Sequence, residues 1–437
     1  MAAIFNRPTA ALLTLIIALG ANAVAHAQNQ NSALPDKPEA PAKVIAASDE
    51  VEATLVSTSV ALQPPAGVPA LSTSRAPSAN TARPQGRSLN NRLASAPDMF
   101  GDYFQTGGNL NFGFPDGSSG SAGESGSFTV PSAGGGGPVK IGENNRALPT
   151  DRISFSYSHF HNAFQFTETP AFGPGTTQLF PLDRYTFGFE KTFAEGTSSL
   201  EIRLPFQGDF EFQGANVSGA GGSIGNLALI FKHLLYIDQE FSVVAGLGLE
   251  TPTGSNFTVT DTFNVPTSQL VFQNDVVYLL PYIGALWGGD RPYFINAFLQ
   301  FDFATGGNRI DAGDVGGPLT TLGRFNPQNL LFLDVGLGYW LYQNEQSEGL
   351  NSLAGILELH YTSSLQDTDL VTGLAGGRRV DFTNNFNRFD ILNLTAGLQA
   401  QFSSLTFVRV ACVVPLGTGD DERFFDSEVQ VQVNRRF

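Results

Sequence analysis

Cysteine, methionine, tryptophan and charge are all scarce in this sequence. Cys412 is the single cysteine in 437 residues, which excludes a disulfide scaffold and a zinc site built on thiolates. Asp, Glu, Lys and Arg together make up 15% of the chain, against about a quarter in soluble globular domains. Basic groups number 24 and acidic groups 40, for a net charge of -16. The clustered cations that phosphate binding needs are therefore missing, and nucleic acid is excluded as a partner. Long apolar runs are scarce too, and a mean hydropathy of -0.03 does not suit a helical membrane protein. What the chain has in excess is 48 glycines and 37 phenylalanines. That pairing points to an all-β protein whose surface faces something other than water.

The amino-terminal stretch carries Arg7, the apolar run Ala10 to Leu19 and the small-residue site Ala25-His26-Ala27. This is the pattern of a secretory signal peptide over 1–27, its apolar run being too short to span a bilayer as a helix. Residues 28–98 are rich in Ala, Pro, Ser and Thr and nearly free of aromatics. Such a segment cannot bury enough apolar area to offset its ordering entropy, so a disordered tether is expected. Residues 99–150 open with Met99-Phe100-Gly101-Asp102-Tyr103-Phe104 and continue through a Gly/Ser stretch. They form a Gly-rich lead-in, either a plain linker or a plug that tucks an aromatic foot into a cavity. The run Gly134 to Gly137 lacks the ending of a phosphate loop.

From Asp151 to Phe437 the chain alternates with a period of two, the signature of strands. Ile153, Phe155 and Tyr157 alternate with Ser154, Ser156 and Ser158, and Val429, Val431 and Val433 with Glu428, Gln430, Gln432 and Asn434. Residues 276–287 are apolar on both faces and contain Pro281, which predicts a bulged strand. The pattern returns about twelve times. The polar partners are mostly Ser, Gly, Asn and Gln with single charges of both signs, as in the interior of a transmembrane barrel. Backbone groups in lipid have no water to bond, so such a sheet must close on itself.

Connections alternate strictly between short turns and long links, the long ones near 161–183, 207–222, 251–275, 304–328, 362–388 and 416–426. Aromatic residues gather beside the short turns: Phe193, Tyr236, Phe241, Trp287, Tyr293, Tyr342, Phe402 and Phe437. These features predict a transmembrane antiparallel up-and-down β-barrel of about twelve strands in the bacterial outer membrane. Its short turns and both chain ends are expected in the periplasm, with the aromatics as a girdle against membrane lipid. Phenylalanines are assigned to the lipid-facing band and girdles, and glycines to the lumen. Terminal Phe437 after alternate valines is similar to the signal that barrel-assembly machinery reads on a last strand.

Gly225-Asn226-Leu227-Ala228-Leu229, Lys232, Gly246-Leu247-Gly248-Leu249 and Thr251-Pro252-Thr253-Gly254 resemble the barrel family labelled for the MetA pathway of phenol degradation. That family's pattern runs G-D-L-x-L, a Lys, then G-L-x-x-P-T-G, and Asn226 stands here where the family carries Asp. The resemblance covers about residues 183–437. It implies an outer-membrane barrel that passes small, often aromatic, compounds, and it supplies no catalytic residues. The stretch Lys140-Ile141-Gly142-Glu143-Asn144-Asn145 to Pro149-Thr150-Asp151-Arg152 is similar to a family-specific lead-in without a known role.

The inward-facing charges are Glu190, Glu201, Arg203, Lys232, Glu250, Asp302, Asp334, Glu358, Arg409, Glu428 and Arg436. Acids outnumber bases among them, so an open pore should favour cations; the alternative is a network of paired charges bracing a closed barrel. Enzyme chemistry is not expected: Ser158 and His159 are adjacent and so face opposite ways, and His360 with Thr362 offers a threonine nucleophile with no evident orienting carboxamide. His159 and His161 share a face but fit interfacial polar side chains better than a metal pair. Asp311/Asp314 and Asp420-Asp421-Glu422 match no calcium loop. No metal and no cofactor is expected. The functional expectation is a channel passing small solutes, including hydrophobic or aromatic ones, by passive diffusion. Its alternative is a structural or adhesive barrel linking cell wall to surface.

Overall fold

A computed structural model describes residues 93 and 95–437, apart from 103–106, 114–124, 133–134, 136–138, 170–174, 214–216, 263–265, 345, 348, 403–404 and 418–422. Residues 1–92, which hold the expected signal peptide and most of the expected tether, lie outside that set.

Twelve strands form the wall: β3 (Arg152–Thr169), β4 (Thr176–Phe193), β5 (Ser198–Gln213), β7 (Leu227–Ile237), β8 (Phe241–Thr251), β11 (Tyr278–Trp287), β12 (Tyr293–Ala304), β15 (Leu330–Gln343), β16 (Leu350–Ser364), β19 (Asp390–Phe402), β20 (Thr406–Pro415) and β21 (Ser427–Arg436). Each pairs antiparallel with the next, and β21 returns to β3 from Ser427↔His161 to Arg436↔Arg152, which closes the barrel. Alternation sorts the side chains as expected. Ile153, Phe187, Phe189, Phe231, Leu247, Leu337, Leu357 and Leu398 stand exposed on the outer face, whereas Ser154, Ser156, Gln430, Gln432 and Asn434 are buried inside. A closed sheet that is apolar outside and polar inside is stable with lipid as its solvent.

The aromatic residues named beside the short turns do lie at that end. Tyr236 packs on Phe241 at 6.2 Å, Trp287 on Tyr293 at 5.3 Å, and Phe437 stacks on Phe189 at 5.9 Å. Asp151 and Phe437 are at the same end, with Phe437 N–H donating to the Asp151 carbonyl at 3.3 Å.

At the other end the structure departs from expectation, because most of the long links are themselves strands. β3 and β4 run on to Thr169 and back from Thr176. Short strands fill four of the other links: β6 (Val217–Ile224), β9 (Phe257–Asp261), β10 (Ser268–Phe272), β13 (Asn308–Asp314), β14 (Leu319–Phe325), β17 (Leu370–Ala375) and β18 (Arg378–Thr383). The lead-in contributes two more, β1 (Gly108–Gly113) and β2 (Ser125–Val130), which pair with each other and bridge β18 to the far end of β3. Exposed edges recruit partners, and here β6 pairs with β9, β10 with β13 and β18 with β1.

This second tier encloses an apolar core. Phe128 stacks on Phe212 at 3.9 Å, and Phe272, Phe325 and Phe382 pack beside them. A large share of the phenylalanines therefore serves this cap and not the lipid band alone, which corrects the earlier assignment. The segment 276–287 also differs: β11 pairs with β8 without a register slip, so it is not bulged. It is apolar on both faces because Tyr278, Leu280, Tyr282 and Leu286 meet an apolar part of the lead-in inside the barrel.

Candidate functional site

The lumen is occupied. Residues 93 and 95–102 pass along it, β1 and β2 join the second tier, and 139–150 run back to the short-turn end before β3 begins. Met99, Phe100, Lys140 and Ile141 are each 0% exposed. Residues 95–98, assigned above to the tether, are part of this filling, with Ala96 and Asp98 buried.

Elementary electrostatics decides which side chains hold it. A charge taken from water must meet an opposite charge or several hydrogen bonds. Lys140 Nζ sits between Asp102 and Asp334, 2.7 Å from Asp334 Oδ1. His360 places Nδ1 2.9 Å from Asp334 Oδ1 and Nε2 3.0 Å from Glu358 Oε2. Glu358 also accepts from Phe100 N–H at 2.8 Å and Gly101 N–H at 3.1 Å. Asp102, Asp334 and His360 offer ligand atoms within 4.8 Å of one another, and the Lys140 ammonium is the cation held among them.

A second cluster lies nearer the short turns. Arg152 reaches Glu190 at 2.8 Å, Glu201 at 3.1 Å and Asp98 at 3.3 Å. Lys232 Nζ meets Glu190 at 3.0 Å and Asn145 Oδ1 at 2.8 Å. Arg203 binds Glu201 at 2.9 Å and donates to the Lys140 carbonyl at 3.1 Å. Arg409 donates to the carbonyls of Asp98 and Met99, with its guanidinium 4.0 Å from the Phe100 ring centroid. Glu250 accepts from Val139 N–H at 2.8 Å. Of the inward charges expected from sequence, these touch the lead-in directly or through one neighbour. Asp302 and Glu428 are buried in the wall, and half-buried Arg436 lies over the Phe407 ring at 4.1 Å.

The lead-in's own residues, Asp98, Asp102, Lys140, Glu143 and Arg146, are the part that sequence reasoning missed. Glu143 pairs with Arg184 at 2.6 Å and Arg146 with Asp98 at 3.5 Å. The motif from Lys140 to Arg152 was the available signal. Gly142 follows from the close fit, since a Cβ there would stand 2.8 Å from Asp334 Oδ2. A void of about 20 Å³ beside Glu143, Asn144 and Arg184 remains, room for about one water.

The paired motif on β7 and β8 also gains a physical reason. Asn226 Oδ1 accepts from Gly254 N–H at 3.0 Å, and Thr253 Oγ1 accepts from Leu227 N–H at 2.8 Å, so the two segments lock each other at the rim. Asn226 Nδ2 donates to Glu250 at 2.9 Å; an aspartate at this position would face Glu250 as a like charge.

The remaining candidates stay apart from the lumen. His159 pairs with Asp183 at 2.8 Å on the outer face. Asp311 accepts from Thr321 and Gln273 in the second tier. Residues 420–422 lie outside the described set.

No family model matches the chain, and no curated protein matches it. Among solved structures, an outer membrane channel from Pseudomonas putida F1 is similar at 12% identity, covering 69% of this chain and 100% of that one with a TM-score of 0.39. A toluene transporter of Pseudomonas putida is similar at 9% identity, covering 66% and 88% with a TM-score of 0.35. The translocator domain of an autotransporter from Neisseria meningitidis is similar at 8% identity, covering 66% and 89% with a TM-score of 0.40. The barrel assignment stands on the strand pairing of this chain itself.

Proposed function

We propose that this protein is an outer-membrane channel for small solutes whose lumen is closed at rest by its own lead-in. The observation that carries this reading is the Lys140 ammonium held between Asp102 of the lead-in and Asp334 of the wall. The barrel lies with its short turns and both ends in the periplasm, is delivered by the 1–27 signal, and is assembled through the strand ending at Phe437. When the lead-in withdraws, Lys140 and Arg146 leave with it, and so do Asp98, Asp102 and Glu143. The wall set from Glu190 to Glu428, seven acids against three bases, then faces the pore together with Arg152, Arg184 and His360, and the remaining acid excess favours cations. Aromatic and other hydrophobic solutes belong to the passable class through the resemblance on Asn226 to Gly254. Proteoliposome swelling tests the transport reading. Vesicles carrying the full chain should admit small neutral and cationic solutes once Lys140 is replaced by Met. Vesicles that stay closed to every solute in both forms would sink it.

A second reading is favoured by the same filled lumen: a permanently closed barrel with a structural or adhesive role, its 28–98 tether holding cell wall. Sedimentation of the full chain with cell-wall material, together with closed vesicles, would establish it.

A further inference from the structure

Outside the lumen, at the end where the second tier lies, a cavity of about 380 Å³ opens to solvent. This is within the size range of small-ligand pockets, at about 300–1,000 Å³. Nothing in the charge network described above uses it. We propose that it binds a free neutral sugar of one or two rings.

The walls carry the argument. Phe386 and Phe424 come from two different connections and lie half-buried with ring centroids 5.5 Å apart, a partly exposed apolar platform. Around them stand amides from separate elements: Asn109 of β1, Asn162 and Gln165 of β3, and Asn385 before β19. Asn162 Nδ2 already donates to Asp426 at 2.6 Å and Gln165 Nε2 to Thr167 at 3.1 Å, which holds both amides in place. Asn162 adopts a φ of 55° where the β3–β4 register slips between Phe160 and Phe164. Such a bulge re-aims side chains at the rim of a barrel. Arg423 and Asp426 are paired with each other at 3.5 Å, so the site carries no net charge from them and selects a neutral ligand.

An aromatic hydrocarbon would cover the phenyl rings but give the amides no hydrogen-bond partner in place of the water it displaces. A sugar ring lays its C–H face on an aromatic ring and offers hydroxyls that both donate and accept, matching amides that do the same.

This inference does not rest on conduction, since the cavity is separate from the lumen. The test uses the full-length protein in an amine-oxide detergent, which has no sugar headgroup. Saturation-transfer NMR is run with glucose, N-acetylglucosamine and maltose, and with phenol and gluconate for comparison. At least one neutral sugar should bind saturably, and Asn385→Ala and Phe424→Ala should each weaken it at least tenfold while heat-modifiable gel migration shows an intact barrel. If Phe424→Ala fails to fold, Asn385→Ala alone decides. Binding of phenol or gluconate without a neutral sugar would overturn the proposal. So would sugar binding that the folded variants leave unchanged.

Discussion

Asp151 shows how a single carboxylate ties the lead-in to the wall. Partial burial pushes its carboxyl up, but the Lys191 ammonium and the Thr192 hydroxyl and amide all donate to it and hold it below the usual carboxylate range. A depressed folded value adds stability above the unfolded value and loses it as pH falls through the folded one. Asp151→Asn should therefore cost about 1 kcal/mol at neutral pH. The difference from the parent should shrink only once the pH falls below about 4. Urea unfolding followed on gels across pH checks this; a difference that persists in strong acid would contradict it. Gly142→Ala is the complementary steric probe, because its Cβ would press on Asp334 Oδ2 at 2.8 Å. It should raise the hydrogen exchange of residues 139–150 and leave the wall protected. At this scale the sequence was only half legible. Alternation assigns Asp334, Glu358 and Arg409 to the inner face, and all three are buried, yet periodicity names a face and not a partner. Lys140 and Asp102 are 38 residues apart, on either side of the β1–β2 hairpin, so nothing local revealed their meeting.

The wall strands were legible because lipid outside and polar groups inside impose a strict period of two. Lipid does not act on the second tier, and its strands carry weaker patterns. The sequence VSGAGGSI of β6 and the five residues of β9 read as loop until neighbouring edges supply their hydrogen bonds. The same holds for the lead-in hairpin, whose two six-residue strands are separated by Gly and Ser. Its anchor is Phe128, fully buried and stacked on Phe212. Phe128→Ala should cost about 3–5 kcal/mol, the usual penalty for emptying a packed aromatic site. Hydrogen exchange should quicken across residues 108–113 and 125–130, with the twelve wall strands unaffected. Equal quickening of the wall would mean that the hairpin and barrel stand or fall together.

For the whole molecule, the lead-in and the wall are joined among the described residues by buried ion pairs that cross between them: Lys140 to Asp334, Asp98 to Arg152 and Glu143 to Arg184. Loss of one member of a buried pair costs about 3–5 kcal/mol because the other charge is left stranded. The closed state consequently depends on complementary ions contributed by two parts of one chain. Replacing Lys140 with Met keeps the bulk and removes the cation, so Asp102 and Asp334 repel across the seam and the lead-in loses its seat. The most direct measurement of this closure is single-channel recording in planar bilayers, comparing the full-length parent with Lys140→Met under a salt gradient. The account predicts a parent that is nearly silent and a variant with discrete, frequent openings that prefer cations. A parent already conducting steadily, with a variant indistinguishable from it, would contradict the account.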